Sequence, residues 1–148
     1  MRKRVGAILV CILAAAVFSF GRKEETLEQL IARAEAARPD QQSDLFVEIA
    51  ERELKSANDA YKASQWEQFR GALQGIVKYS DSAHSAAMHS NKHLKHTEIK
   101  IRAISNKLRD LKLDVDVDDQ PGVQAAIDRL EGFRTELLHS MFGSKSND

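Results

Sequence analysis

Three histidines in the middle of the chain have a spacing that metal ligands use on helices. His89, His93 and His96 lie at i, i+4 and i+7, which places them within about 60° of one face of a straight helix. Two imidazoles four residues apart can bind one zinc or copper ion, although His96 lies too far along the axis to join His89 easily. Lysines such as Lys92 and Lys95 would also repel a cation. The pattern therefore supports two interpretations, a metal site or a solvated flank of the helix.

A run of aspartates farther along the chain resembles the start of an EF-hand calcium loop. Asp114, Asp116 and Asp118 occupy the positions of its first, third and fifth residues. The EF-hand pattern then requires glycine at the sixth position and glutamate at the twelfth, where this chain has Asp119 and Ala125. The departure favours an electrostatic role, because acids before a helix stabilise its N-terminal dipole.

The segment between 92 and 112 is basic, with seven Lys and Arg against two acids. Such a segment either contacts an anionic membrane surface or polyanion or forms the solvated outside of a helix. We expect no nucleic-acid partner, because the 22 Lys and Arg of the chain are balanced by 22 Asp and Glu and leave no basic excess.

Motifs of the common enzyme classes are missing from the sequence. It contains no G-x-S-x-G, no glycine-rich phosphate loop, no H-E-x-x-H and no C-x-x-C-H haem motif. Its one cysteine, Cys11, excludes a disulfide framework and a cysteine-based metal site. We therefore predict a protein that is not an enzyme and holds no cofactor.

The first residues have the layout of a secretory signal peptide. A basic start, Met1–Arg4, precedes an apolar run over Val5–Phe18. We favour cleavage after Gly21 over two earlier sites, after Ala16 and after Ser19, because it leaves a full-length apolar region. The sequence therefore predicts export, to the periplasm or the outside of the cell.

The alternative to a cleaved signal is an uncleaved membrane anchor, since residues 5–21 just reach the minimum of about 17 residues for a membrane span. Removal of residues 1–21 leaves 19 Lys and Arg against 22 Asp and Glu, a net charge of −3, and no cysteine. A chain without thiols suits an oxidising compartment. We predict a single helical domain over 22–142 and a disordered tail over 143–148.

The mature chain has helical periodicity. Apolar and small residues alternate steps of four and three from Phe69 to Leu111, as in the seam of a coiled coil. We predict one continuous central helix over about 66–112, with helices over about 43–64 and 121–142 packed antiparallel on its two halves. The expected fold class is all-α, an elongated helical bundle.

The centre of this seam consists of small residues. Ser80, Ala83, Ala87 and Ser90 would let another helix approach closely, so we predict self-association through the seam or binding of a protein partner there. If the central helix is not continuous, it breaks at His89–Asn91.

The stretch Ala57–Phe69 resembles the helix–turn–helix junction of a tetratricopeptide repeat. Tyr61 and Trp66 fall on its aromatic positions. The stretch departs from the family pattern at Ser64, which replaces the glycine of the turn, and at Phe69, which replaces a small residue. No second copy is present, whereas a stable array needs at least about three repeats, so the resemblance implies a hairpin and not a repeat protein.

The whole chain also resembles small, uncharacterised secreted helical proteins of bacteria, and this resemblance implies no particular activity. The leading hypothesis is an exported, non-enzymatic α-helical interaction or scaffold protein. Two alternatives remain open: a periplasmic metal-binding bundle that uses the three histidines, and an envelope-surface or polyanion binder that uses the basic helix over 92–112.

Overall fold

The computed structural model describes residues 24–143, and all of the regular secondary structure in that range is helical. The five helices are α1 (Leu27–Ala36), α2 (Pro39–Lys62), α3 (Trp66–Ser90), α4 (Leu94–Asp114) and α5 (Gln120–Phe142). The prediction of an all-α bundle is confirmed. The predicted signal peptide, and residues 144–148 of the predicted tail, lie outside the described residues.

The helix starts follow from local chemistry. Oγ1 of Thr26 accepts a hydrogen bond from the backbone N–H of Gln29, and the Gln29 side chain accepts one from the backbone of Thr26. This capping box satisfies two N–H groups that a helix start leaves free. Pro39 is the first residue of α2, and Pro121 lies in the first turn of α5, where a missing N–H leaves no helix bond unmade. The second helix therefore begins at Pro39, before the predicted start near residue 43.

The predicted continuous helix over 66–112 is two helices. The chain leaves the helical conformation after Ser90 and resumes it at Leu94. Asn91 and His93 have φ values of 51° and 60°, in the left-handed region that a right-handed helix cannot continue through. The break lies at the point named as the alternative, and we call residues 91–93 the joint.

The unbroken periodicity was compatible with this break because a period reports which face of each helix is buried, not whether the axis is straight. The stripes of α3 and α4 both face one core, so the phase continues across the joint. Two local features end α3 there. Asn tolerates the left-handed conformation better than most residues, and the Ser90 hydroxyl accepts a hydrogen bond from the backbone N–H of Lys92 at 3.3 Å, just beyond the helix end.

The joint reverses the chain direction. At the start of α4, Nδ1 of His93 lies 3.4 Å from Oδ2 of Asp44, which is near the start of α2. After the end of α4, the backbone N–H of Asp116 donates to the hydroxyl of Tyr61, near the end of α2, at 2.7 Å. α4 therefore runs parallel to α2 and antiparallel to α3.

Both of the predicted antiparallel pairings are present. α2 packs against α3, with the Tyr61 ring beside Phe69 near the turn and the Phe46 ring beside Tyr79 farther from it. α4 packs against α5 in the same way. The two hairpins then lie side by side, with α3 next to α5 and α2 next to α4. The predicted elongated shape is therefore wrong, because the central element is folded in half.

The predicted seam forms the core of a single chain. Most of its members are buried: Phe69, Leu73, Ile76, Ser80, Ala83, Ala87, Thr97, Ile101, Ile104, Leu108 and Leu111. The other two, Ser90 and Leu94, are half-buried. Burying each large apolar side chain among the buried members stabilises the fold by about 1.5–3 kcal/mol. Ser80, Ala83 and Ala87 at the centre of the seam face the chain's own helices, and association through the seam stays a prediction.

Candidate functional site

The three histidines proposed as metal ligands do not share a helix face. His89 lies in the last turn of α3, His93 in the joint and His96 in the first turn of α4, and all three are exposed. Across residues 24–143, no three His, Cys, Asp or Glu side chains are grouped closely enough to hold a metal ion. The straight-helix geometry behind the metal prediction is therefore wrong.

Two of these histidines instead approach one carboxylate of α2. Oδ2 of Asp44 lies 3.4 Å from Nδ1 of His93, and its Oδ1 lies 3.7 Å from Nε2 of His96. These approaches place the start of α4 beside the start of α2. His89 takes no part in them, so metal binding by the full set of three stays a prediction.

The basic segment over 92–112 is largely engaged within the bundle. Four of its seven basic side chains contact acidic or amide groups: Lys100 with Glu51, Arg102 with Glu98, Arg109 with Glu131 and Lys112 with Gln124. Charges that are already paired gain less from an external anionic surface. The geometry therefore supports a role in helix packing over binding to a membrane or polyanion.

A buried polar cluster joins α4 to α5. Glu98, only 5% exposed, accepts two hydrogen bonds from the guanidinium of Arg134, at 3.0 and 2.8 Å. Glu131 accepts bonds from Ser105 at 2.6 Å, from Arg109 at 2.9 Å and from Arg134 at 2.6 Å. Burial on its own would raise the pKa of Glu131, but the Ser105 hydrogen bond and the two arginines outweigh it and hold the pKa below its ordinary value. Because these charges are satisfied by one another, their role is to pack α4 against α5.

The connection between α4 and α5 combines acidic and apolar surface. We call residues 113–119 the acidic turn. Val115 is buried and anchors the turn, whereas Leu113 and Val117 are 83% and 77% exposed. Exposed acids are next to these two apolar residues in the sequence: Asp114, Asp116 and Asp118.

An open and largely apolar groove lies between the first halves of α3 and α5. Leu73, Val77, Ala125 and Ala126 line it, and its volume is about 490 Å³. We call it the α3–α5 groove. Its floor lies directly over the core, because Leu73 and Ala126 are themselves buried.

The rim of the α3–α5 groove is basic. Arg70, Lys78 and Arg129 line it and are exposed, and no acidic side chain lines it. Lys78 lies over the ring of Tyr79 at 5.0 Å, and Arg129 lies over the ring of Phe133 at 5.2 Å, contacts that orient a cation without neutralising it. Arg70 is paired with Glu67 at 3.5 Å, so the groove offers apolar contact together with the positive charge of Lys78 and Arg129 and the partly compensated charge of Arg70.

A cleft between α2 and α4, of about 380 Å³, has a different character. Glu51 and Asp110 line it together with Lys55 and Lys107. Because both signs of charge are present, the cleft selects no ligand charge. It is a less specific binding surface than the α3–α5 groove.

Sequence reasoning did not identify the groove. Its two walls are about fifty residues apart in the chain. In the predicted straight-helix arrangement they do not meet, because the last helix packs only against the second half of the central helix, the residues that form α4. The one available signal was that Arg70, Lys78 and Arg129 carry charge beside stripe positions. Only the reversal at the joint places those charges around one apolar floor.

None of the five helices between residues 24 and 143 combines the length and apolarity needed to cross a membrane. Comparison of the chain with protein-family models, with curated proteins and with solved structures finds no match to any of them.

Proposed function

We propose that this is an exported, non-enzymatic α-helical interaction protein, and that it binds its partner in the α3–α5 groove. The observation that carries the proposal is the pairing of an apolar floor with three basic side chains and no acid at the rim. Such a surface complements a protein segment that displays apolar and acidic side chains together.

The lining of the groove favours binding over catalysis. It consists of small and apolar residues, one glutamine and three cations, so it provides neither a histidine nor a carboxylate to move protons. A general acid or base is what most hydrolytic and transfer reactions require. In addition, the buried carboxylate of Glu98 is already paired with Arg134.

The openness of the groove favours a protein segment over a small molecule. Small-molecule sites enclose most of the surface of their ligand, whereas this groove lies along the outside of two helices. Its walls run from Arg70 to Lys78 on α3 and from Gly122 to Arg129 on α5, about 10–12 Å along the helix axes at 1.5 Å per residue. That length matches a short segment with one or two apolar anchors.

Titration with anilinonaphthalene sulfonate tests whether the groove takes apolar, anionic ligands, because this fluorophore has both properties. We expect one site per chain and a binding constant weakened about tenfold by Val77→Glu or Arg129→Glu, equivalent to ~1.4 kcal/mol. The matched control is Lys55→Glu in the α2–α4 cleft, which should leave binding unchanged. Equal binding by all four proteins, with unchanged circular dichroism, would show that the fluorophore does not enter the groove.

A further inference from the structure

Two complementary surfaces adjoin at one end of this molecule. The α3–α5 groove is apolar with a basic rim, and the acidic turn presents Leu113 and Val117 among three exposed aspartates. Val117 precedes Gly122, a lining residue of the groove, by only five positions. The groove would select a segment that is both apolar and acidic, and the acidic turn has both of these properties.

We infer that the segment bound in the α3–α5 groove is the acidic turn of a second copy of this chain. In this arrangement Val117 contacts the apolar floor, and the aspartates on either side of it approach Arg70, Lys78 and Arg129. The inference rests on the proposed function, since it names the partner of the same groove.

The turn of the same molecule cannot occupy the groove. Val115 is buried in the core, and the backbone N–H of Asp116 is bonded to the Tyr61 hydroxyl, so the turn is held at the end of the bundle. It also leads directly into α5, whose first turns form one wall of the groove. Only a turn from another molecule can approach that wall from outside.

The segments of the chain outside residues 24–143 fit the groove poorly. The N-terminal segment is largely apolar, but its charged side chains are all basic and would be repelled by the basic rim: Arg2, Lys3, Arg4, Arg22 and Lys23. Residues 144–148 contain no apolar side chain. The acidic turn is the segment whose charge and apolarity both match.

The adjacency of the two surfaces also determines the symmetry. When a two-fold axis passes between the groove and the turn, each molecule places its turn in the groove of the other, and the assembly closes as a dimer. Each dimer then contains two copies of one contact. Because the rim charges remain partly exposed, we expect the association to weaken as salt screens them.

A charge-reversal pair tests this arrangement by sedimentation velocity over a range of concentrations at low salt. The chain is expressed with its N-terminal segment, so that any processing takes place before purification. The groove variant carries Arg70→Glu and Arg129→Glu, and the turn variant carries Asp116→Lys and Asp118→Lys. We expect a reversible dimer for the unaltered protein, and a dissociation constant raised at least about tenfold for either variant alone, because like charges then face each other.

Mixing the two variants should restore the dimer. The unaltered turn of the groove variant meets an unaltered groove, and the lysines of the other turn meet the introduced glutamates, so both contacts become complementary. The control variant carries Arg38→Glu and Lys92→Glu at the opposite end of the bundle, just before the starts of α2 and α4, and it should dimerise like the unaltered protein. A dissociation constant that neither charge reversal changes, or variants that fail to pair when mixed, would overturn the inference.

A protein that stays monomeric at every concentration would also overturn it. The fluorophore titration then separates the two proposals, because the turn variant keeps an intact and unoccupied groove. Binding by that variant would leave the proposed function standing without the second copy. Absence of binding would remove both.

Discussion

At the scale of single residues, polar groups in the interior differ in whether they have partners. Ser105 is fully buried and donates to Glu131 at 2.6 Å. Thr97 is equally buried, but its hydroxyl finds no hydrogen-bond partner among the described residues. A buried hydroxyl without a partner costs free energy, whereas a bonded one roughly recovers its desolvation. The two positions should therefore respond oppositely to removal of the hydroxyl.

We expect Thr97→Val to stabilise the protein by about 1 kcal/mol, because valine has nearly the same shape without the unpaired hydroxyl. Ser105→Ala is the matched comparison and should destabilise it by about 1 kcal/mol through loss of a bond to a charged group. Urea denaturation followed by circular dichroism measures both. Destabilisation by Thr97→Val would mean that a bound water satisfies that hydroxyl.

At the scale of helices, the joint decides the architecture. Three residues in non-helical conformation convert a predicted spine into two hairpins packed side by side. Ser64, in the turn between α2 and α3, is also left-handed, with φ of 57°. Ser64 stands where the tetratricopeptide turn carries glycine, and the hairpin resemblance of that stretch stays a prediction.

We expect Asn91→Val to destabilise the protein by about 1–2 kcal/mol, because a β-branched residue is sterically strained in the left-handed conformation. Asn91→Gly should be neutral or slightly stabilising, since glycine adopts positive φ without steric cost. Thermal unfolding of the two variants beside the unaltered protein makes the comparison. Equal melting temperatures for all three would contradict a left-handed residue at this position.

At the scale of the whole molecule, carboxylates with opposite environments set the response to acid. The pKa of Glu131 lies below its ordinary value of 4.5, so its ionised form stabilises the fold. That contribution is complete above pH 4.5 and is lost as the pH falls through the lowered pKa. Burial raises the pKa of Glu53, so its ionisation opposes folding and its contribution has the reverse sign.

We expect Glu131→Gln to lower the free energy of unfolding by about 1 kcal/mol at neutral pH, a modest value because the side chain is one-third exposed. The difference from the unaltered protein should shrink below pH 4.5. Glu53→Gln should show the opposite trend, with a gain at neutral pH that disappears in acid. Urea denaturation at a series of pH values measures both. If the free energy of unfolding of the two variants had the same dependence on pH, the opposite pKa shifts of Glu131 and Glu53 would be contradicted.

The sequence predicted the helical class, the buried stripe and both antiparallel pairings, because each depends on periodicity within a segment or on neighbours in the chain. It did not predict the reversal at Asn91 and His93, since no glycine or proline marks it and the stripe keeps its phase. The errors at larger scale follow from that single point. His89, His93 and His96 could share one face only on a straight helix. Arg70 and Arg129 could come together only if the chain reversed its direction between α3 and α4.

The two-hairpin arrangement has a consequence for how the chain reaches its native state. Each hairpin closes through consecutive helices joined by a short connection, so most contacts form between segments near one another in the chain. Topologies of this kind have low contact order and fold in microseconds to milliseconds. The α2–α3 hairpin can thus assemble before the last two helices are even synthesised, and it then offers the surface on which they condense.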